Sequence, residues 1–158
     1  MRSIKAPQEI VVQQDEIAVF LAGAIDNGAA VEWQKHVTEQ LSDCENLLLL
    51  NPRRDDWDST WDCSIDNPQF VEQVNWELDG LEIANFVLVF FPANSIAPIS
   101  LLELGLITET KRYDSTVVVC EEGYHRKGNV DIVCDRYNIH QCKTLAEAID
   151  YIRRLILS

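Results

Sequence analysis

The sequence predicts one α/β domain built on a five-stranded parallel sheet with helices on both faces, and three features predict it. Several short segments are apolar throughout instead of alternating with polar residues. They are interleaved with stretches whose apolar residues recur at helical spacing. At 158 residues and 47% hydrophobic content, the chain can bury one core and is too short for two ordinary domains. Strands buried on both faces belong to parallel sheets sandwiched between helices, the flavodoxin-like or Rossmann-like three-layer arrangement.

Residues 1–16 mix charge with Gln and Pro, lack a period, and read as an N-terminal arm; the domain proper is expected over 17–158. Ile17 to Ala22 is an apolar run ended by Gly23, a buried strand leaving into a loop. Ala29 to Leu41 follows with a rough helical pattern through Val31, Val37 and Leu41. Leu47 to Leu50 is the second strand, stopped by Asn51-Pro52. The stretch from Arg53 to Asn67 is polar, rich in Asp and marked by Trp57 and Trp61, so it reads as a long loop, a type that is often functional.

Pro68 opens a helix on which Phe70, Val74, Leu78 and Leu81 recur at helical spacing. Phe86 to Phe91 is a third strand, Ser100 to about Lys111 a helix, and Thr116 to Cys120 a fourth strand. A polar loop over Glu121 to Asn129, a short strand centred on Ile139 and a helix from Thr144 to Leu157 complete the chain. In such folds ligands sit at the carboxyl ends of the strands, here the loops after Ala22, Leu50, Phe91 and Cys120.

Composition narrows the function. With 26 acidic against 13 basic side chains, a net charge of -13 disfavours nucleic acid polymers, anionic membranes and polyanionic substrates. No apolar run is long enough to span a bilayer and the N-terminus lacks a secretory signal, so a soluble cytoplasmic protein is expected. The five cysteines form no Cys-x-x-Cys pair and His36, His125 and His140 do not cluster, so reduced structural thiols and no metal are expected. Gly23 to Gly28 lacks the spacing of a phosphate-binding glycine loop, although Gly23 would let a ligand approach the backbone.

Two carboxylates stand out. Ser100 and Glu103 have the spacing of a capping box, which is explanation enough for a helix start. Their helix nevertheless follows the third strand, so its N-terminus faces the expected crevice, where the helix dipole favours an ionised Glu103 suited to attack a sugar carbon. Glu77 borders the apolar stripe of Val74, Leu78 and Leu81, a setting that raises a carboxyl pKa and suits proton transfer. One charged and one easily protonated carboxylate form the pair that glycosidic chemistry uses.

Phe20-Leu21-Ala22-Gly23, Asn51-Pro52-Arg53-Arg54, Gln73-Val74-Asn75-Trp76-Glu77-Leu78, Pro98 to Gly105 and His125-Arg126-Lys127-Gly128-Asn129-Val130, in that order, resemble the nucleoside 2-deoxyribosyltransferase-like family. The resemblance implies a cofactor-free exchange of bases on 2-deoxyribonucleosides, with a nucleoside and a free nucleobase as its small-molecule partners. Glu103 would be the nucleophile that forms a covalent deoxyribosyl-enzyme, and Glu77 would handle the proton of the base. Phe20, Gly23, Trp57 and Ser100 would line the substrate site. Asn129 would reach the sugar 5'-hydroxyl from a neighbouring subunit, which implies a homo-oligomer built from dimers. Phe20 stands where the family carries a tyrosine, Asn85 where it carries an aspartate, and Ala97 leaves that loop without an acid. The alternatives are an N-glycosidase for nucleosides or their 5'-monophosphates, with Arg53, Arg54, Arg126 and Lys127 as phosphate ligands, and a non-catalytic binding module.

Overall fold

A computed structural model gives the fold over residues 1–25, 32–110 and 113–157. The expected helix start at Ala29 and Val31, the Asp26-Asn27-Gly28 part of the glycine segment and the helix end at Lys111 lie outside the described residues. The elements run β1 (Arg2–Lys5), β2 (Ile17–Gly23), α1 (Trp33–Gln40), β3 (Leu47–Asn51), α2 (Pro68–Ile83) and β4 (Phe86–Phe91). They continue with α3 (Pro98–Glu109), β5 (Thr116–Cys120), α4 (Lys127–Tyr137), β6 (His140–Cys142) and α5 (Leu145–Leu157).

The sheet is wholly parallel, in the order β1-β3-β2-β4-β5-β6. From β2 onward this is the flavodoxin-like order, in which the chain winds first to one side of β2 and then to the other. The reversal between β2 and β4 opens a crevice at their carboxyl ends. The sheet has six strands, not the expected five. The added strand, Arg2–Lys5, lies in the segment read as an irregular arm and pairs with β3 from Arg2↔Leu48 to Lys5↔Asn51. Of its residues only Ile4 is buried, because an edge strand needs no apolar run and is protected by charge. Arg2 forks onto Glu16, at 2.6 Å from each carboxylate oxygen, and ties the strand to the start of β2.

Two cores lie on opposite faces of the sheet. On one, Val19, Leu21, Leu47, Leu49, Leu88 and Phe90 pack under α1 and α5. On the other, Ala18, Phe20, Leu48, Val87, Val89 and Phe91 pack under α2, α3 and α4. The alternation of strand residues between the two faces explains why every strand from β2 to β5 had to be apolar throughout.

Helix α4 replaces part of the expected polar loop, and Asn129 is helical. Its buried side rests on little more than Val130 and Cys134, an i, i+4 pair among charged residues, so its period is faint. No helix of the described residues is long and apolar enough to cross a membrane. All five cysteines are free, with Cys44, Cys120 and Cys134 buried.

Candidate active site

Glu103 is buried and Glu77 half-buried on the face covered by α2 and α3. Asn67 caps α2 by accepting from the Gln69 and Phe70 amides, and Pro68 fits the first turn, where no amide donor is needed. The helix then lies close on β2, because a Cβ on Gly80 would stand 2.7 Å from the Phe20 ring. Glu77, nearly one turn earlier on the same helix, is half-buried. Burial drives its carboxyl up to about 7, while a hydrogen bond donated by Gln73 pulls the other way.

Helix α3 opens at Pro98, behind Ala97 in the left-handed conformation, and no side chain caps it. Ser100 is therefore the third helical residue and no capping box forms. Glu103 falls in the second turn, where the field of the helix terminus has largely faded. Only 6% exposed, its carboxyl is raised well above the ordinary value by desolvation and further by the charge of nearby Glu77. Burial thus opposes the ionised Glu103 that the helix dipole would favour, since desolvation pushes the carboxyl up. Each carboxylate senses the other, so the two titrate as a pair.

Gln73 is the residue that organises this pair, and it carried no weight in the sequence beyond its place in a motif. Its amide nitrogen donates to the Pro52 carbonyl at 2.7 Å and to Glu77 Oε1 at 2.7 Å. It thereby joins the loop after β3 to the acid on α2. The same loop is fastened by Arg54, which donates two hydrogen bonds to Asp56 and one to Glu72 on α2. Arg54 also lies over the Trp61 ring, and Trp61 meets Trp57 edge to face at 5.2 Å. Trp57 is half-buried in this local cluster, and its indole nitrogen is buried without a hydrogen-bond partner among the described residues.

Of the other predicted residues, Phe20 and Ser100 are buried on the α2 and α3 side of the sheet, Gly23 packs against Trp33, and Asn129 is exposed. Phe20 is fully buried beneath α2, against Gly80 and Trp76, with no surface to offer a ligand. Gly23 serves packing: a Cβ there would stand 2.6 Å from both the Phe90 carbonyl and the Trp33 ring, whose indole donates to the Ala24 carbonyl. That ring fills the space a ligand was expected to use. Ser100 is buried on the first turn of α3. Asn129 is exposed on the first turn of α4, and its side chain makes no hydrogen bond to a described residue.

Asn85 clamps the start of β2, accepting from the Ala18 amide and donating its own amide to the Ala18 carbonyl. It sits at the amino end of the sheet, away from the crevice, so its departure from aspartate does not bear on the chemistry. Across the crevice, Tyr124 donates to the Ile96 carbonyl and Glu121 accepts from the Ala93 amide, which fixes the entry to α3. The basic residues already have partners: Arg53 beside Glu32 and Gln34, Arg54 as above, and Lys127 on Asp131 and Glu122. Among the described residues no His/Cys/Asp/Glu group has the makings of a metal site.

A doubly wound α/β domain with two desolvated, mutually interacting glutamates beside its topological switch point is the class that fold and site define. Residues 16–124 match the family described as nucleoside 2-deoxyribosyltransferase like, and the chain belongs to that family. No curated protein matches. Among solved structures, the crystal structure of a conserved protein from Enterococcus faecalis V583 is similar, with a TM-score of 0.60 at 9% identity, over 88% of this chain and 98% of that one. At that identity the likeness concerns the fold alone.

Proposed function

We propose that this protein is a nucleoside 2-deoxyribosyltransferase, exchanging bases on 2-deoxyribonucleosides through Glu103 and Glu77. The observation that carries the reading is the pair itself: two desolvated glutamates in different environments, with the Glu77 carboxyl raised to about 7 and that of Glu103 raised well above its ordinary value. Structural carboxylates are seldom buried without a cationic partner, because desolvating a charge costs several kcal/mol. Here Glu77 accepts from a neutral amide, and no described cation pairs with it.

In the first half-reaction, Glu103 as carboxylate forms a bond to the anomeric carbon as the carbon–nitrogen bond breaks. The electron pair goes to the departing base and Glu77 delivers a proton to it. In the second, the ionised Glu77 takes the proton of an incoming base, whose nitrogen displaces Glu103 and restores the pair. Two displacements retain configuration at the sugar. Attack requires Glu103 as carboxylate, and burial opposes that form, so substrate binding has to favour passage of a proton from Glu103 to Glu77. A base nitrogen that accepts from Glu77 and an electron-poor anomeric carbon beside Glu103 both favour that transfer.

Neutral nucleosides suit the site better than nucleotides, since Arg53, Arg54 and Lys127 are engaged by carboxylates or amides of the chain itself. An assembly of this chain with itself is supported by Ile99, Leu102 and Leu106, an exposed apolar stripe along α3, and by Asn129 standing free on α4. In such an assembly Asn129 would complete the sugar site of a neighbouring subunit. The test is incubation with a 2-deoxynucleoside and a different free base. A new nucleoside supports transfer, free base without exchange supports hydrolysis, and stabilisation against heat without products supports binding alone.

A further inference from the structure

We propose, building on the base-exchange reading, that Gln73 recognises the nucleobase: its carbonyl oxygen accepts an N–H adjacent to the ring nitrogen that Glu77 protonates. Gln73 is 3% exposed and its orientation is dictated by Pro52. The Pro52 carbonyl can only accept, so the amide nitrogen must face it. That nitrogen also holds Glu77 Oε1, so both of its hydrogens are committed. The carbonyl oxygen is left buried and without a partner among the described residues.

A buried acceptor left unpaired costs about 1–3 kcal/mol, and such groups call for a functional explanation. This one is bonded to the same carbon as the nitrogen that holds Glu77. In the proposed site the acceptor and the Glu77 carboxyl, joined through one amide group, face the same edge of the base. A protonated Glu77 beside the Gln73 oxygen presents a donor next to an acceptor, which is complementary to a ring nitrogen flanked by an amino group. Adenine offers that edge at N7 and its 6-amino group, and cytosine at N3 and its 4-amino group. Hypoxanthine places an oxygen where the amino group stands, opposing two acceptors. Sites built around a hydrogen bond discriminate strongly against partners that cannot make it, because their own buried group stays unpaired. Gln73 would thus select amino bases over oxo bases, while its nitrogen keeps the Glu77 carboxyl turned toward the same edge.

The test compares the intact wild-type protein with Gln73→Leu on two readouts. One is the ratio of exchange rates with 2-deoxyadenosine and 2-deoxyinosine as donors; the other is the ratio of thermal shifts given by free adenine and free hypoxanthine. A ratio taken within one variant is insensitive to a general loss of activity or to a displaced Glu77. Wild type is expected to favour the amino base by about tenfold or more, and Gln73→Leu to bring the ratio near one. Should Gln73→Leu not fold, Gln73→Met, closer in length, is read the same way. A wild-type ratio near one on both readouts, or an unchanged preference in the variant, overturns the proposal. If no base is exchanged but adenine protects wild type selectively and the variant equally with hypoxanthine, recognition by Gln73 stands and the transferase reading falls.

Discussion

At the carboxyl end of the same sheet, the two faces are built on opposite principles. Under α1 and α5 the core ends in Trp33, pressed onto Gly23 so closely that a methyl group would not fit. Under α2 and α3 lie buried Glu103 and Gln73 and half-buried Glu77, with the Gln73 carbonyl unpaired among the described residues. The α1 face also buries a polar side chain, Gln34, whose amide nitrogen has no partner among the described residues, so an unpaired amide alone does not tell the faces apart. What sets α2 and α3 apart is the pair of desolvated, interacting carboxylates, which marks the proposed working side.

The largest expected effect separates these faces most sharply. Glu103→Gln keeps the shape and removes the nucleophile, so base exchange should fall by at least about 10³-fold while the thermal midpoint at pH 8 is not lowered. Glu77→Gln should cost less, about 10²-fold in exchange rate, because acid catalysis is lost but the nucleophile remains. The same variant should be more stable than wild type at pH 8 by about 2 kcal/mol, and nearly equal at pH 4. The sign follows from the raised pKa. Folded Glu77 holds its proton up to about 7, so its contribution is greatest below the ordinary carboxylate range and is lost as pH rises through 7. Exchange should follow a bell-shaped pH profile whose acid limb reports the pair near 7.

On the other face the pattern inverts. Gly23→Ala forces Trp33 or β4 to shift and should cost about 1–3 kcal/mol in a denaturant titration, with the activity of the folded fraction retained. The smallest effect is expected at the sheet edge. Arg2→Ala removes the fork on Glu16 and loosens β1, with a smaller loss in a denaturant titration than Gly23→Ala. The Arg2 guanidinium holds the Glu16 carboxyl down to about 2, so this contribution is present at neutral pH and disappears on acidification toward 2.

Legibility in the sequence followed the same division. Strands β2 to β5 announced themselves because each is buried on both faces, which leaves an uninterrupted apolar run. Strand β1 and helix α4 did not, since an edge strand and a helix with two buried residues leave almost no period to read. Glu77 and Glu103 were recognisable by residue type and place, but the upward push on the Glu103 carboxyl comes from its depth, which a spacing of Ser100 to Glu103 misrepresents when the helix begins at Pro98. Gly23 was misread because the partner that needs its missing side chain, Trp33, is brought there only by folding. Gln73 carried a local signal, four residues before Glu77 on one helix face, and that i, i+4 relation is the one hint by which it was available.

The central claim is that Glu103 becomes covalently bound to the sugar. Mass spectrometry of protein quenched in acid after incubation with a 2-deoxynucleoside, without acceptor base, measures this directly. The account predicts a single deoxyribosyl adduct on the peptide containing Glu103, absent from Glu103→Gln and discharged by adding a free base. Base exchange without any adduct, or an adduct on Glu77, would contradict it.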